Sequence, residues 1–384
     1  MSGRIAVGRA SQFVVLAMIL GLFSQGNARI AYAKASSAVD PTPEERSLLA
    51  AAEQDPANAQ LASSLGAYYL HHERWRDSLP WLRKAYTLSA GNESIGYDLA
   101  FACLQAGELE GAKQQIDLML GKADSARLHN LLGTVEERRT NYLEAAKEFH
   151  RAAEIDPSEQ NIFDLATFLL QHKKYVGFVD ESLKFFRYGV AQFPRSSQMM
   201  VGLGVALYVS EQYDEAVRVL CAAVDLDPTD RRPIEFLGRA SKVSPELAAE
   251  VDQRLKDFAQ RYPANAATNY YYAFSLWQRG GGQEGKNLDE IEGLLRKAVA
   301  LAPEWYEPHF QLGVVYDDEK RYPDAIREMQ KAADIDPDSF PAHFRLAMLY
   351  DRTGDKSRAT QEAALVRRIK DKDRKDDMGQ GVEK

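Results

Sequence analysis

The sequence predicts an all-α solenoid of stacked helical hairpins, and three observations carry that expectation. A Leu or Tyr followed by Gly or Ala recurs at Leu65, Leu99, Leu132, Leu165, Leu203, Leu237, Tyr272, Leu312 and Leu346, in steps of 34, 33, 33, 38, 34, 35, 40 and 34 residues. A proline follows most of these marks at Pro157, Pro194, Pro228, Pro263, Pro303 and Pro337, in steps of 37, 34, 35, 40 and 34. Within the period, as in Phe310-Gln-Leu-Gly-Val-Val-Tyr316, apolar residues recur at three and four, so each helix buries one face. Two marks that lengthen at the same places define one repeating unit, and periods of this size belong to helical arrays.

Each element of the unit has a physical role. Gly313 lies in the apolar face and lets a second helix come close. Twelve residues on, Ala325 supplies a small contact from that helix, and Met329 and Ala332 extend its face. Asp336-Pro337 then ends it, because proline lacks a donor and restricts the residue before it. Ala112, Ala145, Ala216 and Ala359 repeat the small contact, and Asp55-Pro56, Asp156-Pro157 and Asp227-Pro228 repeat the stop.

This pattern resembles the tetratricopeptide repeat: Leu-Gly, an aromatic three residues on, Ala, then Pro over 34 residues. The resemblance covers residues 43–373 and gives nine repeats, starting near Ala59, Glu93, Ala126, Glu159, Ser197, Arg231, Ala266, Tyr306 and Phe340. It implies a right-handed α-α superhelix of about nine hairpins. The segment Pro43–Pro56 reads as a lone second helix leading in, within a linker and lead-in region at 34–58. The array runs over 59–373, and 374–384 reads as a charged flexible tail. The first two repeats lack the closing proline. Repeat four carries extra residues around Lys173–Asp180, and repeat seven carries them in the glycine-rich stretch Gly280–Asn287. These are longer turns, which cost little closure entropy.

Residues 1–33 stand apart. Arg4 and Arg9 precede the apolar run Phe13–Phe23, and small residues follow at Ala28 and Ala33. The run is shorter than the roughly 20 apolar residues that span a bilayer core, so it reads as a signal peptide cleaved after Ala28 or Ala33. That implies a periplasmic or secreted protein with no membrane span after cleavage. An uncleaved N-terminal anchor is the alternative.

The net charge of −8, with no basic block, argues against nucleic acid as a partner. Cys103 and Cys221 lie in different repeats and read as buried apolar residues rather than a disulfide. Of the seven histidines, no pair has zinc-binding spacing with a third ligand. His309 and His343 occupy the same place in successive repeats and read as core filling. No nucleophile elbow, metal set or cofactor motif appears, so neither a cofactor nor catalysis is expected.

The resemblance points instead to a groove lined by the first helices, at the second, fifth, ninth, twelfth and thirteenth positions of each repeat. Those positions give Tyr97, Phe101, Phe163, Tyr208, Tyr270, Phe274, Trp277, Phe310 and Phe344. Repeat six adds Arg232, Glu235, Arg239 and Lys242, and repeat three adds Arg127, Asn130 and Arg138. Such a groove suits a peptide with apolar anchors and an acid. Trp277 is the leading single residue, because Gln-Arg-Gly follows it and the helix ends nearby. The arrangement with which some family members clamp a C-terminal carboxylate is not reproduced, since repeat one has Ser63 and Ala67 there. The expected role is a non-enzymatic scaffold for a protein or peptide partner. The rivals are a solenoid that self-associates as a homodimer and a glycan-binding accessory protein.

Overall fold

The computed structural model describes residues 41–243, 248–280 and 288–379; side chains at 239–248, 279–280 and 372–379 are outside the description. The leader expected at 1–33 lies outside the described residues, as does the glycine-rich turn beyond Gly280. Among the described residues there are nineteen helices and no strand. The chain divides after Ser210 into two compact units.

In the first unit, α1 (Pro43–Gln54) leads into the hairpins α2 (Ala59–His71) with α3 (Trp75–Leu88), α4 (Glu93–Ala106) with α5 (Leu109–Leu120), α6 (Ala126–Arg138) with α7 (Tyr142–Ile155), and α8 (Glu159–Gln171) with α9 (Phe178–Gln192). The unit closes on α10 (Ser197–Val209). The second unit starts with α11 (Tyr213–Leu226). It continues as α12 (Arg231–Val243) with α13 (Ala248–Arg261), α14 (Ala266–Gly280) with α15 (Leu288–Leu301), α16 (Tyr306–Asp318) with α17 (Tyr322–Ile335), and α18 (Phe340–Arg352) with α19 (Lys356–Gly379). Every repeat start read from the sequence is the first residue of a helix.

The local chemistry explains these boundaries. Side chains of Asn58, Asn92, Ser196 and Ser339 accept backbone N–H groups of the first turn that no carbonyl reaches. At the other end, Asp55, Asp156, Asp227 and Asp336 leave the helical region, and a proline follows each. In six repeats the turn between first and second helix places the fifteenth residue in the left-handed region. Gly107 and Gly354 hold that place without strain, whereas Glu73, Thr140, Glu211 and Lys320 adopt it at φ 56–64°.

Packing follows the expected small contacts. Ala112, Ala145, Ala216 and Ala325 are fully buried. A Cβ on Gly313 would meet Met329 Cγ at 2.9 Å and the Ala325 carbonyl oxygen at 3.3 Å. Ala359, in the last hairpin, is only half-buried. Cys103 and Cys221 are free, buried thiols, and burial pushes that of Cys221 up to about 12.

One polar device joins successive repeats at the same register in both units. Glu45 on α1 accepts from Tyr69 Oη at 3.0 Å and takes Arg74 on both oxygens at 2.9 Å, with Arg74 stacked 4.5 Å from the Tyr69 ring. In the second unit Glu292 on α15 accepts from Tyr316 Oη at 3.1 Å and from Arg321 at 2.8 Å, and Arg321 sits 4.2 Å from the Tyr316 ring. Burial and the Glu45 carboxylate push the Tyr69 phenol up to about 12. The lead-in helix therefore takes the place of a preceding second helix. At the far end, α19 continues to Gly379, through the first residues of the segment read as a tail from 374.

Candidate functional site

The first-helix faces differ in chemistry between the two units. In the first unit the exposed positions are occupied by polar ties between neighbouring first helices. The Arg127 guanidinium on α6 lies 3.4 Å from the centroid of the Tyr97 ring on α4. Together with Met119 and Leu128 these residues line a recess beside Glu93 and Ser94. Asn130 donates to Asp164 on α8 at 2.9 Å, and Gln160 donates to the same carboxylate at 2.7 Å. Arg138 donates to the Leu104 carbonyl at 2.7 Å, at the C-terminal end of α4, where a cation also meets the negative end of the helix dipole. Burial raises the Asp164 carboxyl, which the Asn130 and Gln160 bonds only partly oppose, and burial lowers the Arg138 guanidinium. Phe101 packs edge-on to Trp75, and Phe163 edge-on to Phe186. Tyr97, Phe101 and Phe163 are all half-buried.

In the second unit aromatic side chains stack along the first helices, at the fifth repeat position in Phe310 and Phe344 and at the ninth in Phe274. Phe274 stacks on Tyr270 at 5.7 Å, Phe310 on Tyr306 at 5.6 Å, and Phe344 on Phe340 at 5.9 Å. Exposure rises toward the end of the chain. Phe274, Trp277 and Phe310 are half-buried, whereas Phe340, Phe344 and Met348 are 39%, 47% and 39% exposed.

Several sequence-based expectations are corrected. Tyr270 belongs to the core, only 6% exposed, because Trp305 packs against it at 4.9 Å and Tyr271 at 4.8 Å. Tyr208 is also buried, on a helix whose residues are apolar nearly all round. Arg232 does not stand ready for a ligand acid: it forms a two-nitrogen contact with Asp230 at the start of α12, at 2.7–3.1 Å. The side chain of Arg239 lies outside the described residues. Sequence reasoning missed Trp305, whose ring also receives Arg231 at 5.0 Å, and the pair Phe340 and Met348. Phe340 and Met348 could have been found four residues either side of Phe344, on the same helical face.

The histidines serve the hairpins. His309 Nδ1 lies 2.8 Å from Glu328 and its Nε2 3.0 Å from the Pro303 carbonyl. His343 repeats this with Glu362 at 2.6 Å and the Pro337 carbonyl at 3.0 Å. The Glu328 bond raises His309 above its ordinary value against the effect of burial. Among the described residues, no group of three or more His, Cys, Asp or Glu side chains has metal-holding geometry, and no helix is long and apolar enough to cross a membrane.

Residues 69–134 and 318–376 match one tetratricopeptide-repeat family model, and residues 171–231 match a second. The chain carries tetratricopeptide repeats. Arrays of this kind are scaffolds for protein partners. No curated protein matches the sequence. Among solved structures, MamA is similar at 20% identity over 45% of this chain and 97% of its own, with a TM-score of 0.37. YrrB, described as a tetratricopeptide-repeat protein with an unusual peptide-binding site, is 19% identical over 50% of this chain and 97% of its own, with a TM-score of 0.39. Yeast Tom70 is 12% identical over 86% of this chain and 85% of its own, with a TM-score of 0.45. At these identities the likeness is one of helical architecture alone.

Proposed function

We propose that this tetratricopeptide array is a non-enzymatic scaffold that binds protein segments on the first-helix face of its second unit. The observation that carries the reading is the row of accessible apolar side chains there: Trp277 and Phe310 half-buried, then Phe344 and Met348 open. Stacked, pre-ordered aromatic side chains give contact area at low conformational cost, and they suit a segment with apolar anchors. Of the basic residues that suggested an acid in the ligand, Arg232 is held by Asp230. The first unit fits the role less well, since its first-helix aromatics Tyr97, Phe101 and Phe163 are all half-buried and none is as open as Phe344.

A photo-crosslinking amino acid placed at Phe310 or Phe344 should capture a partner, whereas the same group at Leu118, 62% exposed on a second helix of the first unit, should not. Equal capture at all three positions, or capture at Leu118 alone, contradicts the assignment. We place the protein outside the cytoplasm on the strength of the leader at residues 1–33. N-terminal sequencing of the mature chain tests this, and a start at Arg29 or Lys34 supports it.

A further inference from the structure

The repeat supplies its own template for what its last hairpin should bind. Helix α18 lies against α16, and the contacts between them show what covers a first helix in the second unit. Asp317 on α16 accepts from Arg352 at 2.5 Å, and Arg345 approaches it at 3.5 Å. These arginines are seven positions apart, two helical turns, and so share one face of α18. The Arg345 guanidinium also lies 5.9 Å from the Phe310 ring. On this hairpin Val314 is 6% exposed, the Asp317 side chain 9%, and Ala332 on α17 fully buried.

Moving 34 residues along gives the equivalent positions on the last hairpin, and they are open. Met348 replaces Val314 and is 39% exposed. Asp351 replaces Asp317, and its side chain is 62% exposed, touching only the exposed Lys356 at 2.6 Å. Phe344 replaces Phe310, and Val366 replaces Ala332, half-buried instead of buried. An ion pair between two exposed groups contributes little and gives way easily, so Lys356 does not hold Asp351 against a competitor.

We propose that the outer face of α18 and α19 receives one amphipathic helix from another protein, set as α18 is set on α16, with two basic residues seven positions apart closing on Asp351. The apolar stripe of that helix covers Phe344, Met348 and Val366. The charge preference follows from Asp351, which attracts a basic helix and repels an acidic one. The back-reach of a cation onto the preceding helix end is the array's own habit: Arg138 makes it onto α4 in the first unit as Arg352 does onto α16 in the second. This inference rests on the scaffold reading and names the class of partner for one end of the surface.

The probe is a lactam-stapled, fluorescein-labelled peptide copying residues 340–354, which carries the Arg345 and Arg352 pair, beside a version with both arginines changed to Gln. Fluorescence polarisation against the full 384-residue chain should show saturable binding, at least fivefold weaker for the Gln version. Asp351→Asn should weaken the Arg peptide by a similar factor and abolish the discrimination between the two peptides, the signature of direct coupling. Leu118→Ser, on an exposed second-helix position of the first unit, should leave both unchanged. Absence of saturable binding, or discrimination that persists in Asp351→Asn, overturns the proposal. Binding lost in Trp277→Ala but not in Asp351→Asn also overturns it, while leaving the broader aromatic-face reading in place. Sedimentation that shows the unliganded chain dimerising through this face, abolished by Met348→Glu, replaces the foreign helix with a second copy.

Discussion

The two units use one repeat register to make two kinds of surface. On the first, positions that point away from the hairpin carry Arg127, Asn130, Arg138 and Asp164, and these side chains hold one first helix to the next. On the second, Phe274, Phe310 and Phe344, at the ninth and fifth repeat positions, stack along their own helices and are increasingly accessible toward the end of the array. Helical periodicity determines which positions point outward, and side-chain chemistry determines whether neighbours or partners use them. A polar side chain that finds an acceptor 30-odd residues away is consumed by the fold, whereas an aromatic stacked on its own helix keeps its outer face free.

The contrast can be broken by substitution. Arg138→Ala should destabilise by about 2–3 kcal/mol, since it removes a half-buried charged donor and its packing. Phe344→Ser should stay within about 0.5 kcal/mol of wild type, as expected of an exposed position. Urea denaturation of both variants checks the pair, and equal losses would mean the faces are not distinct. A smaller effect separates the hairpin cores. A Cβ on Gly202 would overlap Phe186 Cε1, and that ring is fully buried, whereas a Cβ on Gly313 meets the flexible Met329 side chain at 2.9 Å. Alanine gains about 1 kcal/mol of helix propensity over glycine, against about 1–3 kcal/mol for overpacking. Gly202→Ala should therefore lose up to about 2 kcal/mol net, and Gly313→Ala should come out near neutral by thermal melting.

The smallest predicted effect depends on pH. His309 is raised by its bond to Glu328, so its contribution is complete below the ordinary histidine value of about 6.5 and fades as pH rises through the raised one. Glu328 is lowered: burial acts against this, but the His309 bond and charge outweigh it. Its contribution is present above about 4.3 and fades as pH falls through the lowered value. The pair is strongest between those two pH values. His309→Gln should cost about 1 kcal/mol at pH 5.5 and less at pH 8.5, as read from urea midpoints. A deficit that grows with pH would contradict the ion-pair account.

Much of the architecture was legible because the repeat marks are also the stops and starts. Asp-Pro pairs end helices, Asn and Ser cap the next ones, and a period of 34 leaves little freedom between them. The surface was harder to read, because exposure depends on residues outside the register. Tyr270 and Phe344 hold the same repeat position, but Trp305, in a turn 35 residues after Tyr270, buries the first, while the second stands 47% exposed. Arg232 looked available until its neighbour Asp230 was seen to hold it. The Glu–Tyr–Arg joints were not anticipated, although their spacing is identical in Glu45, Tyr69, Arg74 and in Glu292, Tyr316, Arg321. A search for acids 24 residues before a tyrosine would have found them.

Hydroxyl-radical footprinting of the free chain tests the distinction between the two faces most directly. Phe344 and Met348 should be modified fastest, well ahead of Tyr270 and the fully buried Met329, with Tyr97 held back by the Arg127 guanidinium over its ring. If Tyr97 reacts as readily as Phe344, or Met348 is as protected as Met329, the second unit has no open aromatic face and the account fails.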